Sequence, residues 1–223
     1  DLEDQEHCQE IVEFSERGVQ RTSSLTNLWL GGPILRDKLW FFSSYEFVQA
    51  FSNSYRVSAP RNFTGHYFQS KLTWQPVSRQ KLTLSFQADP TYISRTRQSP
   101  YVPVAAEADQ KQGGQLWSLD HLWFFSDRLV LKNQLTLKTG YVDVFPNSGD
   151  LSTPGNGGSV GAQNSENYGF YSYNRRSRLQ FDPKATYYLD DFFGDHELAV
   201  GGSVTGLKES TLSGRPGNIW FVD

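Results

Sequence analysis

The chain has 223 residues with a formal charge of −3, and aromatic residues make up 15% of it against a hydrophobic total of only 37%. That length allows one large or two small domains, the aromatic weighting favours strands, and the slightly acidic balance supplies no basic field for nucleic acid. Cys8 is the only cysteine, which excludes an internal disulfide, and no run of about 18 apolar residues forms a membrane helix. The chain opens on DLEDQEHCQE and contains no methionine, so it is read as a piece of a longer protein.

Residues 1–23 carry no strand pattern and read as a partial loop or lead-in. From 24 onward, strands follow one another: LWLGG, LWFFSSYEF, HYFQSKLTW, KLTLSFQAD, QLWSLDHLWFF, RLVLKNQLTLKTGYV, RLQFDPKATYYL and HELAVGGSV. Period-2 alternation is clearest at 81–89. There Leu82, Leu84, Phe86 and Ala88 share one face, and Lys81, Thr83, Ser85, Gln87 and Asp89 the other. Leu179, Phe181, Ala185 and Tyr187 likewise oppose Arg178, Gln180, Asp182 and Lys184, while Leu135 and Leu137 oppose Gln134, Thr136 and Lys138. The stretch 115–125 is ambiguous, because Asp120 and Leu122 fall on one face. Residues 211–223 read as the start of a further loop.

The connectors alternate in length. Short polar ones lie at 34–38, 76–80, 126–128 and 190–195, and long ones rich in Pro, Gly, Asn and Ser lie at 50–64, 90–114 and 146–173. Four hairpins with tight ends therefore predict an antiparallel up-and-down meander of about eight long strands over 24–210, with all tight turns at one end. The pentapeptide LWFFS occurs just after one tight connector, at 39–43, and just before another, at 122–126. Trp40, Phe41, Trp74, Trp123, Phe125 and Tyr187 then form an aromatic belt at the short-turn end. Tyr45, Phe47, Phe63, Tyr67, Tyr92, Tyr141, Phe145 and residues 168–173 form a second, looser set near the long loops. Two aromatic levels separated by leucines that alternate with charge describe an outer-membrane β-barrel. An eight-stranded closed barrel would confine Lys71, Lys81, Lys132, Lys138, Arg178 and Lys184 in a narrow interior, so an open arc is expected, with outer strands near 25–33 and 196–208. Alternation alone leaves a soluble lipocalin-like barrel open.

The segment LGGPILRDKLWFFSSYEF at 30–47 resembles a stretch found in TonB-dependent outer-membrane receptors, closest to the subclass with a carboxypeptidase-regulatory-like domain. Gly31, Gly32, Pro33, Asp37, Lys38, Phe41, Phe42, Tyr45 and Glu46 carry the match. The resemblance implies a bacterial outer-membrane barrel of about 22 strands with a plugged lumen. This chain would supply roughly a third of it. The implied partners are outer-membrane lipid, the plug and remaining barrel strands, the TonB energy-transducing protein and a small ligand of unknown identity, imported or exported. A passive porin or a non-transporting adhesin built of the same strands is the alternative.

Candidate chemistry is sparse. Gly157-Gly158-Ser159-Val160-Gly161 matches G-x-S-x-G but lies in a glycine-rich loop instead of a strand-to-helix turn. His7 and Cys8 find no further residue at metal-ligand spacing, His66, His121 and His196 lie on separate strands, and Asp190, Asp191 and Asp195 read as turn residues. No enzyme activity, cofactor or metal site is expected. The best binding candidate is YGFYSYNRR at 168–176, where Tyr168, Tyr171 and Tyr173 beside Arg175 and Arg176 can stack on and hydrogen-bond a ligand.

Overall fold

A computed structural model describes residues 20–53, 57, 59–96, 101–155, 166–189 and 193–218. His7, Cys8, the 157–161 motif, Asp190 and Asp191 lie outside the described residues. The fold is all-β, as expected. Its strands are β1 (Gln20–Leu35), β2 (Leu39–Asn53), β3 (Arg61–Val77), β4 (Gln80–Ala88), β5 (Thr91–Ile93), β6 (Ala108–Phe124), β7 (Leu129–Pro146), β8 (Tyr171–Leu189), β9 (His196–Gly201) and β10 (Val204–Gly214).

They form one antiparallel sheet in the order β1-β2-β3-β4-β6-β7-β8-β10. β5 continues the lane of β4, pairing with β3 and β6, and β9 begins the lane beside β8 that β10 completes, so the ten strands among the described residues occupy eight lanes. A proline sits at each interruption. Pro90 separates β4 from β5, and Pro183 in β8 lies opposite the break between β9 and β10, where Gly202 N donates to Pro183 O at 3.1 Å. A residue without an N–H cannot complete the ladder, so pairing lapses beside it. The tight connectors lie at one end and the long ones at the other. At 36–38 the reversal is made by Asp37 in the left-handed region (φ 61°) with Lys38 N donating to Leu35 O at 3.1 Å. Aspartate tolerates that conformation through its short polar side chain.

The sheet is open. Among the described residues β1 pairs only with β2, and the β9/β10 lane only with β8. The outer lanes are those expected, with β1 beginning earlier and β10 running further, to Gly214, than the sequence pattern suggested.

Register separates the two faces. One row crosses the sheet as Phe41, Leu72, Leu84, Leu119, Leu135, Phe181 and Val204, each the direct partner of the next. The row one residue along reads Phe42, Lys71, Ser85, Ser118, Thr136, Gln180 and Thr205. Side chains alternate across a strand, so the first row lies on an apolar face and the second on a polar one. Among the described residues no second layer covers the apolar face. Leu84, Leu119 and Leu135 stay 42%, 39% and 42% exposed, and the buried apolar residues, Ala50, Ile93, Ala106, Ala108 and Tyr168, gather near the long loops. Asp120 and Leu122 both belong to the polar face, paired with Gln134 and Lys132, which resolves the ambiguity of 115–125.

The two LWFFS copies lie at the same, short-turn end of the sheet in opposite phase. In β2, Leu39 and Phe41 share the apolar face with Trp74 and Leu72, whereas in β6 it is Trp123 that shares this face, through Leu131. One copy runs away from its turn and the other towards it, and an odd offset inverts every side chain.

Candidate functional site

The belt residues of the short-turn end divide between the faces. Phe41, Trp74, Trp123 and Tyr187 occupy the apolar face in rows that climb by one step from each to the next. Phe125 packs edge-on against Trp123, with ring centroids 5.0 Å apart. Trp40, expected with them, pairs with Pro33 and Thr73 on the polar face. In the looser set, Tyr45, Phe47, Tyr92 and Tyr141 share the apolar face, while Phe63 and Tyr67 point to the polar one. Tyr45 Oη lies 2.7 Å from His66 Nδ1, and His121 stacks beside Trp123, which gives both histidines structural neighbours. Among the described residues no group of three His, Cys, Asp or Glu side chains could hold a metal ion.

The stretch 168–176 does not assemble into one site. Tyr168 is buried in the loop at 5% exposure. Tyr171, Tyr173 and Arg175 extend on the apolar side of β8, with the two tyrosine rings 5.8 Å apart. Arg175 grips Asp143 through both terminal nitrogens, Nη2 to Oδ2 at 2.9 Å, and lies over the Tyr141 ring at 5.4 Å. Arg176 projects from the opposite face, where its Nε donates to Glu209 Oε1 at 3.1 Å. The sheet itself separates the two arginines, because adjacent strand residues face opposite ways.

The long-loop end is ordered by buried polar side chains. Asn167, 1% exposed, accepts from Ser148 Oγ at 2.8 Å and donates to Asp150 O at 2.9 Å and Thr153 O at 2.7 Å, pinning 148–153 to 166–168. Asp150 closes its own turn by accepting from Ser152 N at 2.7 Å and Ser152 Oγ at 2.6 Å, which holds its carboxyl well below the usual carboxylate range. Nearby, Asp109 accepts from Tyr92 Oη and, at 3.0 Å, from Arg95 N.

Glu107, like the Arg95 guanidinium beside it, is an exception in this cluster. It is 1% exposed, neither carboxyl oxygen has a hydrogen bond, and its ion pair with Arg95 is long, at 4.0 Å. Burial pushes its pKa up, Asp109 adds to the rise, and Arg95 opposes it. A carboxyl whose folded pKa is raised binds its proton more tightly in the native state, so stability falls as pH climbs from the ordinary carboxylate range through the raised value. Glu107→Gln is therefore expected to unfold at the parent's denaturant midpoint near pH 4 and at a higher midpoint at pH 8. Equal midpoints at both pH values would exclude an unfavourable buried charge.

A concavity lies on the polar face, over two glycines that the sequence pattern did not single out. Gly114 and Gly140 are direct partners in the β6–β7 ladder, so two adjacent positions carry no side chain. A hollow of ≈520 Å³ opens above them, edged by Asp89, Lys138, Arg176, Arg178 and Glu209. A second hollow of ≈500 Å³ continues from Lys138 and Asp89 towards Glu46 and Tyr67. The available sequence signal was glycine inside a strand pattern, which marks a bulge or a place kept free for something else. Against known proteins, no protein-family model, no curated protein and no solved structure matches the chain.

Proposed function

We propose that the chain is a section of a bacterial outer-membrane β-barrel belonging to a TonB-dependent receptor or transporter, which takes a ligand at the cell surface and moves it through a plugged barrel. The observation that carries the membrane part of this reading is the uncovered apolar face, with a row of leucine and phenylalanine crossing the sheet from β2 to β8. Its height supports the same reading. Along β7 the level of Trp123, at Leu131, and the level of Tyr141 bracket a stretch that, at about 3.4 Å per residue and a tilt near 40°, stands about 25 Å tall. That is the thickness of the lipid-facing band in such barrels. The climbing rows of Phe41, Trp74, Trp123 and Tyr187 fit a level belt on tilted strands.

The open outer lanes agree with a larger barrel, since unpaired ladder groups are a liability that closure removes. The polar face, with Lys71, Lys132, Asp182 and Lys184, would line a wet interior. Placing the barrel among TonB-dependent receptors rests on the resemblance of residues 30–47. The test uses the full-length natural protein. It is expected in the outer-membrane fraction and, purified into planar lipid bilayers, is expected to stay closed because a plug fills it. Steady conductance would replace the reading with a passive porin, and recovery in the soluble fraction would overturn the membrane assignment.

A further inference from the structure

We propose that the hollow over Gly114 and Gly140 binds a small multivalent anion bearing carboxylate or phosphate groups, held between Lys138 and Arg178. The inference rests on the polar face alone and stands whether or not the opposite face meets lipid. Lys138 and Arg178 are direct cross-strand partners, flanked in their row by Leu116 and Leu207. Like charges set opposite one another in a sheet repel. The acids around them are committed elsewhere. Asp89 Oδ1 accepts from Gly114 N at 2.7 Å, and Glu209 is joined to Arg176 at 3.1 Å. Asp182, whose charge reaches Arg178 electrostatically, gives both oxygens to Gln180 Nε2 at 2.8 Å. Two opposed cations thus stand at the rim of a hollow, without a contact ion pair among the described residues.

Their chemistry fits an oxyanion. A guanidinium offers a planar fork that takes a carboxylate or phosphate bidentately, and an ammonium supplies a compact second charge. The absent side chain at 140, where a Cβ would meet nothing closer than 3.7 Å, leaves the space, and ≈520 Å³ falls in the range of small-molecule pockets and is too small for a folded partner. An anion seated there would also cancel the repulsion between the two cations, so occupancy and stability are coupled.

The experiment titrates citrate and, separately, inorganic pyrophosphate into the purified full-length natural protein at constant ionic strength set with chloride. Binding is followed by calorimetry and by the unfolding temperature. Either anion is expected to bind and raise the unfolding temperature, and Lys138→Gln with Arg178→Gln is expected to weaken binding about tenfold or more. Without anion, Lys138→Gln alone is expected to unfold at a higher temperature than the parent, because the opposed charge is gone. Gly140→Val provides a separate check, since a Cβ there meets nothing closer than Gly113 O at 3.7 Å. It should fold normally and block binding by filling the hollow. Citrate binding means a polycarboxylate site, and pyrophosphate binding without citrate means a phosphate site. The proposal is overturned if neither anion binds the parent, if the double variant binds as the parent does, or if chloride alone gives the same shift. It is equally overturned if oligoglutamate stabilises the protein while both small anions fail, which would assign the cations to an acidic chain segment.

Discussion

Leu135→Arg is expected to destabilise the full-length natural protein by about 2–4 kcal/mol when it folds into lipid vesicles, whereas Gln134→Arg, one residue away, is expected to cost less than about 1 kcal/mol. Leu135 sits in the middle of the apolar row between Leu119 and Phe181, 42% exposed with no layer over it among the described residues. If the apolar face meets lipid as proposed, an arginine there must carry its charge into hydrocarbon or drag water after it. Gln134 pairs with Asp120 and Asp182 on the polar face, where a cation gains acidic neighbours. Urea titration of vesicle-folded protein reads both values. Equal cost for the two variants would reverse or abolish the sidedness. So would rapid labelling of Leu135→Cys by a hydrophilic maleimide, which a lipid-facing thiol resists.

The second large effect contrasts two glycines that face each other across one ladder. A Cβ on Gly114 would run into the backbone oxygen of Thr139, a contact that no rotamer can relieve. Gly114→Ala must therefore push β6 from β7 at the edge of the hollow and is expected to cost about 1–3 kcal/mol or more. A Cβ on Gly140 meets only ordinary contact distance, 3.7 Å from Gly113 O. Gly140→Ala should be neutral or gain about 0.4–1 kcal/mol from the reduced freedom of the unfolded chain. Amide exchange at 113–115 and 138–140 separates the cases, protection falling only in the Gly114 variant. Matching protection in both variants would show that the ladder spreads there freely and that the close approach has no energetic weight.

The alternation of leucine with polar residues in β4, β7 and β8 is a local property, and each strand's two faces were legible before any neighbour was known. So were the loop lengths and with them the up-and-down order, because a short polar connector between two alternating runs leaves a hairpin as the economical path. Pairing between lanes is not local. Whether Trp40 or Phe41 joins the belt, whether Asp120 and Leu122 face the charged side, and whether the second LWFFS repeats or inverts the first all depend on register, and a one-residue change of phase inverts each answer.

The candidate site shows the same division more sharply. As a string, YGFYSYNRR gathers three tyrosines and two arginines, but the pleat sends Arg175 to Asp143 and Arg176 to Glu209 on opposite sides of the sheet. Lys138 and Arg178 are forty positions apart, and no pattern in either strand announces that they oppose each other. Composition and periodicity, which follow from the chain's own chemistry, determined that this protein is an antiparallel sheet with one apolar and one polar face. Which charges meet, which glycines leave a hollow and which lanes stay unpaired were decided by the tertiary structure, because those relations exist only once distant segments have chosen their register.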